Sequence, residues 1–285
     1  MTGSDMTARR ALVEPLLVIG AGKMGGAILT AWLEADDDAV SVAPEKVYVE
    51  DPGPPPEMVD LLSKFDITAS AKADLPETPK LVMVGVKPQV MPAVLEGLAP
   101  RLGPDSLVLS IAAGKQIKDI EKDLPPGTAI VRAMPNTPVL VQAGMTVLIA
   151  NKAVTAQQKE MLTALFSATG HAAWVEDESL MDAVTAVSGS GPAYVFYLAE
   201  CLAKAGEAEG LPAELALTLA KNTIYGAGAL MTGSEALPGD LRVNVTSKGG
   251  TTAAALDVLM ADDGIAPIVQ KAITAAATRS KDLSG

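Results

Sequence analysis

The sequence predicts an α/β domain of the Rossmann dinucleotide-binding type followed by an all-α domain. Three observations carry this: a glycine-punctuated apolar stretch near the N-terminus, strand-length apolar runs alternating with helical segments up to about residue 177, and no strand signal beyond it. The first stretch is Leu16-Leu17-Val18-Ile19-Gly20-Ala21-Gly22-Lys23-Met24-Gly25-Gly26-Ala27-Ile28, which reads as strand, tight turn and helix. Gly20, Gly22 and Gly25 fit G-x-G-x-x-G: the first permits the turn, the second lets backbone approach a pyrophosphate, and the third lets the helix pack closely on the strand. The phosphates then sit on the helix N-terminus, which makes residues Gly20, Ala21, Gly22, Lys23, Met24 and Gly25 the first cofactor-binding candidates. Glycines also close ordinary turns, but here the flanking strand and helix that the mechanism requires are both present.

Each later element has its own signal. The first helix runs to about Leu33, and the acidic segment 34–45 is expected to be a solvated loop. A second strand covers 46–51, ended by Pro52-Gly53-Pro54-Pro55-Pro56 before a helix over 57–64, where proline suits the helix start. A short strand near 67–69 precedes 81–86, a continuous apolar run of the kind buried on both faces of a parallel sheet. Strands over 106–111, 128–133 and 145–150 follow, separated by a helix at 116–123 and by loops; a helix over 155–169 then leads to a last strand at 172–176. Beyond Asp177 come Ala- and Leu-rich helical segments at 181–187, 193–209, 213–230, 252–260 and 266–279. The expected domains are therefore 14–177 and 178–285, the second apolar over more than one helix face and so suited to burial against a second subunit as a homodimer.

Composition narrows the function classes. At 285 residues and 49% hydrophobic, the chain can bury a sizeable core. Its net charge of −12 is dispersed with no basic stripe, which argues against nucleic acid and anionic lipid as partners and for a small molecule. The single cysteine, Cys201, excludes an internal disulfide and any multi-cysteine zinc site, so no metal is expected; its apolar neighbours suggest a buried helix position. Residues 1–13 carry Arg9 and Arg10 without the apolar core of a signal peptide, and no run of 18 apolar residues occurs, so no membrane segment and a cytoplasmic location are expected. The first dozen residues, polar and aperiodic, are expected to be poorly ordered.

Three loops leave strand ends on the side where such sheets bind ligands: Val86-Lys87-Pro88-Gln89, Ala112-Ala113-Gly114 and Met134-Pro135-Asn136-Thr137-Pro138. They are either walls of a cofactor cleft or ordinary breakers. The helical half holds two clusters, Ser188-Gly189-Ser190-Gly191-Pro192 and Thr246-Ser247-Lys248-Gly249-Gly250-Thr251-Thr252, each opening a helix. Ser247 or Thr251 could be a simple N-cap. The second cluster also gathers free N–H groups, hydroxyls and a positive helix end, which is what holding a carboxylate requires.

Four separated motifs in this order, Val86-Lys87-Pro88, Arg132-Ala133-Met134-Pro135-Asn136-Thr137-Pro138, Val187-Ser188-Gly189-Ser190-Gly191-Pro192-Ala193-Tyr194 and Gly249-Gly250-Thr251-Thr252, resemble the pyrroline-5-carboxylate reductase family from about Leu16 to the C-terminus. The resemblance implies reduction of 1-pyrroline-5-carboxylate to L-proline with NADH or NADPH, and a homodimer that assembles further. By position it implies that Ser247, Gly249, Gly250 and Thr251 hold the substrate carboxylate. Thr252 is the catalytic hydroxyl facing the ring nitrogen, and Glu178 and Glu235 line the substrate site. Val86, Lys87, Pro88, Pro135, Asn136 and Asn244 contact the cofactor. Two positions depart from the pattern: Lys248 stands where proline is usual, and Val243 where Asp commonly precedes that Asn. Lys248 either adds positive charge near the carboxylate or points to solvent.

What is missing agrees with an imine substrate. A 2-hydroxy-acid dehydrogenase needs a positioned acid/base, usually His, and the sole histidine, His171, reads as a surface or strand-edge residue. A 3-hydroxy-acid dehydrogenase of similar plan would have lysine where Val195 stands. A protonated cyclic imine is already an electrophile and needs orientation and a hydrogen bond more than a strong base. The alternatives are a reductase of another cyclic imine or a 3-hydroxy acid, or a dinucleotide-binding sensor without turnover. At the end of the second strand, Asp51 can accept from both ribose hydroxyls of NADH and would oppose the 2′-phosphate of NADPH, with Pro52 supplying no cation; otherwise Asp51 only starts a proline turn.

Overall fold

The computed structural model describes residues 15–35 and 42–284. Its strands are β1 (Leu16–Ile19), β2 (Val47–Glu50), β3 (Ala69–Ser70), β4 (Leu81–Val84), β5 (Leu107–Ser110), β6 (Ala129–Met134), β7 (Gly144–Ala150) and β8 (Gly170–Trp174). They form one sheet in the order β3-β2-β1-β4-β5-β6-β7-β8. The first six are mutually parallel, in register from Leu16 opposite Val47 and Leu81 to Leu107 opposite Ala129. β7 runs antiparallel to β6, and β8 parallel to β7. The reversal has a simple cause: the connection 135–143 is a 3-10 turn ending at Gln142 with φ 55°, shorter than the dozen or so residues a parallel crossover needs.

Alternation along the strands feeds two cores. On one face Leu16, Val18, Met83 and Leu109 meet α1 (Lys23–Leu33), α2 (Pro56–Lys64) and α5 (Ala156–Ser167). Trp32 and Phe166 meet edge-on there with ring centroids 5.7 Å apart, and the Trp32 indole donates to Leu165 O at 3.0 Å. On the other face Leu17, Ile19, Val82 and Val108 meet α3 (Met91–Leu98), α4 (Ile117–Glu121) and α6 (Met181–Val184). α3 is absent from the expected elements; Pro92 occupies its first helical turn, where its missing N–H costs nothing. α5 starts with a reciprocal capping box between Thr155 and Gln158.

Contacts group the chain into two units, one running to Gly189 and taking in the chain end from Arg279, the other Ser190–Thr278. The change of texture at residue 177 marks the end of the sheet, and Met181 in α6 packs into the sheet's second core face. The second unit is helical among the described residues: α7 (Gly191–Ala208), α8 (Ala213–Thr232), α9 (Pro238–Asn244), α10 (Thr251–Leu259) and most of α11 (Ile265–Ser284). α9 is a second unforeseen helix that opens on proline. α7 and α8 pack through small residues, Ala203, Ala216 and Gly206. Their larger apolar side chains face outward, and Cys201, expected to be buried, is exposed, because the apolar face on which it lies has no cover among the described residues. No described helix is long and apolar enough to cross a membrane. The expectations for the first dozen residues and for most of the 34–45 loop fall on residues 1–14 and 36–41, outside those described.

One buried side-chain polar atom among the described residues has no hydrogen-bond partner, Thr146 Oγ1 on β7. An unpaired buried hydroxyl costs about 1–3 kcal/mol, and valine has nearly its shape. Thr146→Val is therefore expected to stabilise the protein by about 1 kcal/mol and raise Tm by about 2–4 °C in thermal melts. A lower Tm would show that the hydroxyl is satisfied.

Candidate active site

The turn after β1 is built by backbone packing. Gly20 has φ +91°, and a Cβ there would lie 2.8 Å from Gly85 O. A Cβ on Gly25 would lie 2.4 Å from Gly20 O, so α1 meets the turn with no room for a side chain. Gly22 differs: nothing lies within 4 Å of its Cβ position, and as N-cap of α1 it makes no side-chain cap bond. Two glycines for close packing and one facing open space at a helix N-terminus form a cradle that fits the pyrophosphate of a dinucleotide.

A cavity of about 800 Å³ lies at the carboxyl ends of β1, β2 and β4, lined among others by Gly22, Asp51, Pro52, Lys72, Val86 and Lys87. Asp51 faces this turn: Oδ2 accepts the Ala21 N–H at 2.8 Å and Oδ1 the Gly53 N–H at 2.9 Å. It therefore both starts the proline turn and sits beside the glycine cradle. Pro52 supplies no cation beside Asp51, but two cations distant in sequence, Lys72 and Arg101, line the same cavity. No local motif marks either; the pairing of β2 with β3, and the turn after α3, bring them in.

Farther along the sheet, Lys87 is exposed and Pro135 buried. The Asn136 amide is engaged within the unit: Oδ1 accepts the Met145 N–H at 2.8 Å, and Nδ2 donates to Ser188 O at 3.2 Å. It ties the loop after β6 to β7 and to the helical turn 185–189, where a Cβ on Gly189 would strike Met134 Cε. Glu178 is likewise engaged. Its Oε1 lies 3.0 Å from Nη1 of the buried Arg132 and accepts the Ile117 N–H at the start of α4. Beside it, hydrogen bonds from the Ser179 side chain and backbone hold the Asp177 carboxyl below the usual carboxylate range. His171 lies within the edge strand β8, exposed, rather than before it.

In the second unit, the loop 245–250 leads into α10. Gly250 is the N-cap, extended and without a side-chain cap bond, so neither Ser247 nor Thr251 is spent as a cap. Gly250 N donates to Ser247 O at 3.1 Å, and a Cβ on Gly250 would strike Ser247 Oγ; Gly249 has φ +74°. The first N–H groups of α10 follow this turn uncapped, and the turn and first helical residues carry three hydroxyls, on Ser247, Thr251 and Thr252. Asn244 ends α9, Glu235 lies in the α8–α9 connection, and Lys248 is exposed.

Comparison with known proteins decides the family. A model described as pyrroline-5-carboxylate reductase dimerisation matches residues 178–283, and one described as NADP oxidoreductase, coenzyme F420-dependent, matches 15–114. The pyrroline-5-carboxylate reductase of Pseudomonas aeruginosa is 40% identical over 267 residues, covering 93% of this chain and 95% of that protein. The chain belongs to the pyrroline-5-carboxylate reductase family. The Synechocystis relative of that name is 41% identical over 268 residues, 93% of this chain and 97% of its own. Among solved structures, a pyrroline-5-carboxylate reductase from Coxiella burnetii matches with TM-score 0.87 and 34% identity over 95% of this chain and 99% of that one. A Plasmodium falciparum pyrroline carboxylate reductase with NADP bound matches with TM-score 0.78 and 28% identity over 96% and 98%.

Proposed function

We infer that the protein reduces 1-pyrroline-5-carboxylate to L-proline with NAD(P)H, the last step of proline formation. The observation that supports this beyond family membership is the α10 N-terminus, free of any side-chain cap, with three hydroxyl-bearing residues, Ser247, Thr251 and Thr252, in its turn. Bound NAD(P)H supplies the hydride. The chain holds the dinucleotide at Gly20–Gly25 and along Asp51, Val86, Lys87 and Pro88, and the family resemblance adds Asn244 as a further cofactor contact. Ser247, Gly249, Gly250 and Thr251 take the substrate carboxylate on the positive helix end, and Glu235 lines the same site. Thr252 accepts the N–H of the protonated imine, fixing the ring face offered to the hydride. As hydride adds to the imine carbon, the C=N π pair becomes the nitrogen lone pair, and no base is needed. Pro135 and Asn136 contact the cofactor and Glu178 lines the substrate site, and the Asn136 and Glu178 side chains also tie their loops in place.

Purified protein is expected to oxidise NAD(P)H with 1-pyrroline-5-carboxylate far faster than with other cyclic imines or 3-hydroxy acids; cofactor binding without turnover would overturn the enzyme reading. Thr252→Ala is expected to lower kcat by the equivalent of about 1.5–3 kcal/mol, the worth of a hydrogen bond to a charged partner. Ser247→Ala should instead raise KM, since the carboxylate contact exists before and during hydride transfer. Unchanged turnover in a folded Thr252→Ala enzyme removes Thr252 from the mechanism.

The helical unit belongs at a homodimer interface, a reading supported by the outward-facing Phe196, Tyr197 and Tyr225 and by the family's dimerisation segment. Sedimentation at micromolar concentration should give at least twice the chain mass; a fully active monomer would sink this.

NADH is the preferred cofactor in this reading, because two backbone N–H groups pin the Asp51 carboxylate beside the cradle, where it cannot swing away from a 2′-phosphate. Wild-type kcat/KM is expected to favour NADH, and Asp51→Ser to shift the ratio toward NADPH. A wild-type preference for NADPH overturns the assignment.

A further inference from the structure

The cavity that carries Asp51 is bordered by an ion pair that the chemistry above does not use. Glu50, the last residue of β2, places Oε1 2.8 Å from Arg101 Nη2, the two side chains only 10% and 17% exposed. The same oxygen accepts the Ala73 N–H at 2.9 Å, and Arg101 Nη2 donates back to Ala73 O at 3.2 Å. Three separate pieces of chain are thus closed into one knot: the end of β2, the segment after β3 and the turn 99–101 after α3. Both Glu50 and Arg101 line the cavity that also holds Gly22, Asp51 and Lys72.

A guanidinium at the ribose end of a dinucleotide groove is the side chain best matched to a phosphate, through planar, charge-assisted and bidentate hydrogen bonds. Here its charge and its Nη2 are already committed. We propose that Glu50 is a cofactor-selecting residue: by pairing with Arg101 out of the solvent it withholds from a 2′-phosphate the one arginine that, among the described residues, lines this groove. Asp51 repels the phosphate, and Glu50 removes the group that would compensate. The proposal rests on the groove binding the adenosine half of NAD(P)H, as in the reading above. Lys72 and Lys87 remain in the groove as the other cations, and Glu50→Gln leaves both untouched.

The test is direct binding of two cofactor fragments, ADP-ribose and 2′-phospho-ADP-ribose, by isothermal titration calorimetry with the intact protein. Glu50→Gln keeps the side chain's shape and an acceptor for the Ala73 N–H, but leaves the guanidinium charge uncompensated. It is expected to shift the ratio of the two dissociation constants about tenfold toward the phosphorylated fragment, the equivalent of one charge-assisted hydrogen bond. In an Arg101→Met background the same substitution is expected to move the ratio less than twofold. A ratio unmoved by Glu50→Gln, because both fragments weaken together, would make the pair purely structural; an equal shift without Arg101 would show that the arginine is not what Glu50 withholds. Either result overturns the proposal. Should Glu50→Gln fail to fold, the double variant Glu50→Gln/Arg101→Met carries neither charge and is expected to keep the wild-type ratio within twofold; a fall in phosphorylated-fragment affinity would show that Arg101 was available all along. Failure of wild-type protein to bind either fragment would sink the cofactor reading itself, a result distinct from binding of both with no response to the cycle.

Discussion

Everything at the ligand end of the sheet depends on one crowded carbonyl, Gly20 O. A Cβ on Gly25 would lie 2.4 Å from it and a Cβ on Gly85 2.9 Å, so β1, the first turn of α1 and the end of β4 meet around a single oxygen with only hydrogens between. This contact fixes how closely α1 approaches the sheet, and therefore where its positive end points. It also brings Ala21 N within 2.8 Å of Asp51 at the end of the neighbouring strand. A methyl group at either glycine would push helix and sheet apart and carry the cradle, the carboxylate and the cavity wall with it.

Around that contact the polar side chains do double duty, because a parallel sheet releases unpaired backbone N–H groups wherever a strand ends or a helix begins. Asp51 takes those of Ala21 and Gly53, Glu50 that of Ala73, Glu178 that of Ile117 and Asn136 that of Met145. A carboxylate held by two backbone donors has lost its rotamer freedom before any ligand arrives, so its charge acts at a fixed point. Asn136 and Glu178, which sequence resemblance assigns to ligand contact, are also ties between loops in the structure. A motif records that a residue type belongs at a position, and one side chain there can both hold a loop and touch a ligand.

The elements legible in the sequence are those whose signal is local. Leu16–Ile19 and Leu81–Val84 are buried throughout, as unbroken apolar runs in a parallel sheet must be, and Thr155 with Gln158 announces α5 within four positions. α3 and α9 are not among the expected elements; each opens on a proline in its first turn, with no earlier local signal before it. Nothing within Gly144–Ala150 states its direction; the short connection before it does. The pairing of Glu50 with Arg101 was illegible for a different reason, since the two are distant in sequence and neither belongs to a motif. Cys201 shows the limit on burial: an apolar helix context says that a face will be covered, not that its own chain covers it.

That limit bears on chemistry as well as on assembly. The helical unit buries little more than Ala203, Ala216 and Ala220, while Phe196 is 63% and Tyr225 76% exposed. Exposed apolar surface of this extent on helices of eighteen and twenty residues is what a chain presents when its core is completed by another. The hydroxyls of Ser247, Thr251 and Thr252 lie on the same unit, at the open end of α10. A helix N-terminus in bulk water holds a carboxylate weakly, because solvent screens the partial charge and competes for each N–H; shielded from water, the same groups act in a medium of far lower dielectric constant and hold it strongly. The homodimer proposed above would meet both demands in one event, covering the apolar helices and drying the loop proposed to hold the substrate.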